Sequence, residues 1–97
     1  MRGPAPTDRP RRDEIAAAVA AYDQANPFTP LPRSAARLLA VMFPTGDVCQ
    51  RSLDAIAAQG FGRQHLPRTL YRLTTAGFVS REGLDTYRLH LPPRRQP

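Results

Sequence analysis

The side chains best equipped for chemistry in this chain are arginines, and their spacing suits recognition rather than catalysis. From Arg63 to Arg72 the sequence reads RQHLPRTLYR, which brings Arg63, Gln64, His65, Arg68, Thr69 and Arg72 into one short stretch. A guanidinium is a rigid, planar, permanently charged fork that meets phosphate, or the edge of guanine, with two parallel hydrogen bonds. Arg51, Arg81 and Arg88 flank the stretch on either side. Catalysis finds no comparable support. There is no Gly-rich phosphate motif and no His/Cys/Asp constellation, and Asp13 and Glu14 are adjacent, hence on different sides of any helix. One cysteine and two distant histidines make neither an internal disulfide nor a zinc set. No catalytic residue, metal or cofactor is therefore expected, and the chain is not read as an enzyme. Cys49, placed at a helix start, is expected to be a small buried residue; a redox-sensing thiol is the alternative.

The elements that must position these arginines follow from periodicity. Leu66, Leu70 and Leu73 recur at i, i+4 and i+7 and make one apolar stripe. At 100° per residue, Gln64, Arg68, Tyr71 and Thr75 fall opposite it, with His65 and Arg72 flanking. A helix over about 64–76 results, with Pro67 tolerable only in its first turn. Gly77 stops it. The run over 78–91 then alternates around a turn at Glu82-Gly83-Leu84-Asp85, which predicts a two-stranded hairpin carrying Arg81 and Arg88. His90 lies on its outer face.

Upstream, CQRSLDAIAAQ predicts a helix over 49–59 with Leu53, Ile56 and Ala57 inward and Arg51 near its start. Gly60-Phe61-Gly62 is a tight turn whose aromatic tucks toward the core. SAARLLAVMF, over 34–43, is apolar on most sides and is expected to be the central buried helix, capped by Ser34. Val48 is expected to give a residue or two of strand pairing with the hairpin. PRRDEIAAAVAAYDQA predicts a further helix over 10–25, ended by Asn26-Pro27, with Ile15, Ala18, Val19 and Tyr22 on one face. Its alanines suit close helix approach, either capping the core or, slightly favoured, pairing with a second chain. Residues 1–9 read as a disordered basic arm, 27–33 as a proline-punctuated linker and 92–97 as a basic tail.

With 97 residues and 11 prolines concentrated toward the ends and the linker, one small domain is expected. Every basic residue apart from the two histidines is arginine, and the formal charge is +6. It is unevenly spread: residues 1–49 carry six Arg against five acids (+1), residues 50–97 eight against three (+5). The excess lies with the arginine-bearing helix and hairpin, which favours a polyanionic partner, most simply nucleic acid. No apolar run approaches the ~20 residues that span a bilayer. The basic N-terminus has no hydrophobic region behind it, so a cytoplasmic location is expected.

The run Arg68-Thr69-Leu70-Tyr71-Arg72-Leu73-Thr74-Thr75-Ala76-Gly77-Phe78-Val79-Ser80-Arg81 resembles the end of the recognition helix and first wing strand of the winged helix-turn-helix superfamily, as in small bacterial regulators of the MarR, PadR and ArsR types. The likeness spans residues 34–91. It departs at Pro67, where those proteins usually carry a small polar residue, and in a short wing. The resemblance implies a mainly α fold with a small β-hairpin: a three-helix core plus wing, and here an extra N-terminal helix. It implies a sequence-specific transcriptional regulator that binds double-stranded DNA as a homodimer, on a palindrome with ~10 bp spacing. Helix 64–76 would enter the major groove with Arg63, Gln64, His65, Arg68, Thr69 and Arg72. Arg51 would position the backbone, and Arg81 and Arg88 would meet phosphate or the minor groove. A plasmid or phage role in replication or partition uses the same module. The alternative class is a winged-helix protein-interaction module whose basic face meets an acidic partner or an RNA.

Overall fold

The computed structural model describes residues 8–94. Its elements are α1 (Asp8–Ala25), α2 (Ala35–Met42), β1 (Val48–Gln50), α3 (Leu53–Ala57), α4 (Leu66–Thr75), β2 (Val79–Arg81) and β3 (Thr86–Leu89). Four helices and one three-stranded antiparallel sheet make a small domain, mainly helical with a hairpin. Among the described residues no helix is long and apolar enough to cross a membrane. The expected arm over 1–9 and tail over 92–97 lie largely outside the described residues.

α2 is the central helix, as its composition required. Ala35, Leu38, Leu39, Met42 and, just beyond it, Phe43 are all buried. α1 packs along α2 and buries Ile15, while Tyr22 meets Phe78 edge-on with ring centroids 5.9 Å apart. Within one chain α1 thus covers the core, leaving Ala16, Ala17, Ala20 and Ala21 outward. The helix begins two residues before the expected start, so Asp8 and Arg9 belong to it and not to an arm. Pro10 is still within the first turn, where its missing N–H costs nothing.

Two expectations fail around α2 and α3. Ser34 occupies the N-cap position of α2 but makes no side-chain capping bond. Its backbone is already helical (φ −83°, ψ 0°), because the turn closed by Ala35 N–H to Pro32 O at 3.0 Å runs straight into the helix. Capping requires an extended backbone at that position. The helix expected over 49–59 is also wrong at its start. Val48, Cys49 and Gln50 form β1, and α3 begins only at Leu53, capped by Ser52. Ser52 is extended (φ −70°, ψ 161°) and its Oγ accepts the Ala55 N–H at 3.2 Å. The strand anticipated at Val48 therefore exists and is longer than expected. Cys49 is a buried strand residue and not a helix start.

The sheet order is β1-β3-β2. β3 is central, with Cys49 opposite Tyr87 on one side and Val79 opposite Leu89 on the other. Those four side chains are buried and face the helices, which fixes the register, because a slip of one residue would turn them outward. Ser80 and His90 share the outer face, where Ser80 Oγ and His90 Nε2 are hydrogen-bonded at 2.8 Å.

α4 is amphipathic as expected, with Leu66, Leu70 and Leu73 buried. Pro67 sits in its first turn, and Gln64 and His65 lie in the preceding turn, not in the helix. Its C-terminus closes by two reciprocal bonds, Phe78 N–H to Leu73 O at 3.0 Å and Gly77 N–H to Thr74 O at 3.1 Å, a Schellman arrangement. It needs a left-handed residue, and Gly77 supplies it with φ +90°. The chain end then returns: Arg94 N–H donates to Gly77 O at 2.8 Å, so the folded unit extends past residue 91.

Candidate nucleic-acid interface

The outward face of α4 and the turn before it present Gln64, His65, Arg68, Tyr71 and Thr75 to solvent. Arg68 has no ion pair or hydrogen bond to any described side chain or carbonyl, and Tyr71 is 67% exposed. The leucine stripe anchors this face from behind and the Gly77 turn sends the chain directly into the hairpin. α4 and the first hairpin strand are therefore packed together.

The other arginines expected at the interface have partners within the chain. Arg72 donates through Nη2 to the carbonyls of Thr29 at 3.1 Å and Pro30 at 2.9 Å, tying the linker to α4. Arg51 is half-buried and donates to Val41 O at 2.8 Å, joining the strand β1 to the end of α2. That bond and the absence of a helix at 49–52 remove the geometry in which Arg51 was expected to lead α3 toward a backbone. Arg81 binds Gly83 O at 3.0 Å and Leu84 O at 2.6 Å, bracing the hairpin turn, and lies over the Tyr87 ring. Arg88 Nε meets Glu82 Oε2 at 2.7 Å. That hydrogen bond is the main reason the Glu82 carboxyl is held below its ordinary range; desolvation opposes it, and the charges of Arg88 and His90 add to it. Arg63 pairs with Asp54 at 2.5 Å, but both side chains are about three-quarters exposed (77% and 76%), so water competes with the pair. Thr69, expected as a minor contact, is only 5% exposed and does not belong to the outward face.

The structure thus brings Gln64, His65 and Arg68 together as uncommitted groups, with Arg63 beside them. It sets Arg72, Arg81 and Arg88 nearby but engaged, and Arg51 and Thr69 inside. Sequence reasoning missed Arg37, on α2, whose guanidinium stacks 4.5 Å from the centre of the Phe61 ring. A signal was present: α2 has no acid in its first turn, where acids are favoured, and carries this cation there instead. Comparison with protein-family models, with curated proteins and with solved structures found no match.

Proposed function

We propose that this chain is a winged helix-turn-helix DNA-binding protein, a cytoplasmic transcriptional regulator that acts as a homodimer. α4 enters the major groove with Gln64, His65 and Arg68 toward base edges, and the β2–β3 hairpin lies along the backbone or minor groove. The observation that carries this reading is Arg68: an exposed arginine with no partner among the described residues, on the outward face of a helix that leads directly into a hairpin. An uncompensated guanidinium on a rigid element is suited to an anionic partner. The alanine face of α1 is the surface offered for pairing two chains.

The test is fluorescence anisotropy of labelled duplex DNA across a range of salt concentrations, with the upstream region of the chain's own gene against a scrambled duplex. Neutralising about five phosphates per chain gives a log–log salt slope of about −4.5. Preference for the native probe at ~150 mM salt is the expected result, since site-specific contacts outlast the purely electrostatic ones. Equal loss to scrambled DNA would remove the regulator. The second reading, a protein-interaction module, is favoured by Phe28, which stands 95% exposed on the linker. It would be supported by absence of duplex binding together with loss of partner capture in Phe28→Ala.

A further inference from the structure

Between the start of α2, the Gly60-Phe61-Gly62 turn and the start of α4 lies a cavity of about 220 Å³. Ser34, Arg37, His65 and Thr69 supply its polar lining, and among the described residues no carboxylate borders it. We propose that this cavity binds a phosphate group, held by the Arg37 guanidinium, the Ser34 and Thr69 hydroxyls and the N-terminal end of α2.

Thr69 carries the first part of the argument. It is 95% buried (5% exposed), yet its hydroxyl has no hydrogen-bond partner among the described residues. Among the described residues no side-chain oxygen is both fully enclosed and unpartnered. The hydroxyl must therefore keep its remaining accessible area, and the open space beside Thr69 is this cavity. A hydroxyl open to this space and without a partner in the described fold is free to donate to a ligand oxygen.

Arg37 carries the second. Its guanidinium carbon lies over the Phe61 ring, 4.5 Å from the centroid, and its Nη2 donates to Gln59 O at 3.5 Å and Gly60 O at 3.4 Å. Both distances exceed the ~2.7–3.2 Å of a well-formed bond, so these contacts are weak and leave the exposed guanidinium able to donate to a ligand. Gly60 makes this approach possible: a Cβ there would stand 2.8 Å from Arg37 Nη2, and its φ of +105° already requires glycine.

Electrostatics adds the sign. A cation in the first turn of α2 sits at the positive end of the helix dipole, which is unfavourable alone. Neither α2 nor α4 has an acid in its first turn, and neither Ser34 nor His65 makes a side-chain cap. An oxyanion at this point would offset the guanidinium and the two helix ends together. The volume is below the roughly 300–1,000 Å³ of sites for drug-sized ligands, so a compact tetrahedral anion fits better than a large molecule. Because His65 belongs both to the cavity and to the exposed face of α4, the phosphate's source is either a DNA phosphodiester or a free phosphate-bearing molecule.

The experiment is a titration of the ¹⁵N-labelled full chain with inorganic phosphate, replacing chloride at constant ionic strength. The expected result is saturable amide shifts confined to Ser34, Arg37, His65 and Thr69. Thr69→Val should weaken binding about tenfold, as loss of one hydrogen bond to a charged group does, with no loss in melting temperature. Arg37→Gln should weaken it further. Shifts that do not saturate, that spread over every arginine, or that persist unchanged in Thr69→Val would overturn the site. A duplex-binding arm separates the sources. Competition between phosphate and DNA assigns the pocket to a backbone phosphodiester, whereas DNA affinity indifferent to phosphate assigns it to a free ligand. The titration reads the pocket even if no duplex binds, so its failure and that of the DNA reading are distinct.

Discussion

The α4 face and the hairpin both carry arginines, and they use them in opposite ways. On α4, Arg68 has no partner among the described residues. On the hairpin, Arg81 braces the turn through two carbonyls and Arg88 is paired with Glu82. The cause is geometric. A ten-residue helix pairs its interior backbone groups within itself and its leucines hold it to the core, so an outward arginine is left over. A hairpin with strands of three and four residues leaves turn carbonyls unpaired, and arginines close to them fold back. Charge counted from sequence treats these guanidiniums alike, although only some are available to a partner.

The largest effect is expected where the two regions join. Gly77→Ala would place a Cβ on the Arg94 carbonyl and force alanine into φ +90°. A non-glycine residue in such a conformation costs of order 1–3 kcal/mol, and the backbone overlap adds to that. A loss of about 3 kcal/mol or more in urea unfolding is expected for this small domain. A near-neutral result would mean that helix and hairpin are not coupled through this turn.

Next is Arg68→Ala. Removing a base or phosphate contact of this type costs roughly 1–3 kcal/mol of DNA affinity, about a thirtyfold loss at mid-range. Since Arg68 has no partner among the described residues, the urea midpoint should not move. Unchanged affinity in the anisotropy assay would take the α4 face out of the proposed interface.

Arg72→Ala is expected to behave in the reverse manner. Its two bonds to Thr29 and Pro30 carbonyls fasten the linker, so stability should fall by about 1 kcal/mol once exposure is allowed for. DNA affinity should change less than in Arg68→Ala. Equal affinity losses in the two variants would place Arg72 at the interface after all.

The legible part of this molecule was the part whose signals are local. Leu66, Leu70 and Leu73 with Gly77 sufficed for α4 and its stop, and Glu82-Gly83-Leu84-Asp85 for the hairpin turn. β1 was mostly hidden, because three residues pairing with a strand 38 or so positions away leave no period to read. The start of α3 was readable in principle, since Ser52 followed by Asp54 is a capping signal, but the apolar spacing drew the boundary too early. The availability of each arginine was not readable at all. Arg72 is separated from Thr29 by 43 residues and Arg51 from Val41 by 10, and only folding brings those carbonyls within reach.

The smallest expected effect is also the most direct test of the contrast. Glu82→Gln removes the carboxylate that engages Arg88 while leaving the hairpin turn braced by Arg81. If the hairpin arginines are withheld by intramolecular pairing, freeing Arg88 should tighten duplex binding by about threefold, the scale of an exposed ion pair. The log–log salt slope should steepen by up to about one, since one more phosphate is neutralised. The pH dependence supplies the control. Glu82 has its folded pKa lowered, chiefly by the hydrogen bond from Arg88, so the pair is intact above the ordinary value of 4.5 and is lost as pH falls through the lowered one. Affinity of the parent chain should therefore show no contribution from this pair between about pH 5.5 and 8, and should rise toward that of Glu82→Gln only in stronger acid. A variant with the parent's slope would mean that Arg88 already reaches DNA despite Glu82, and the hairpin and α4 would then differ in degree alone.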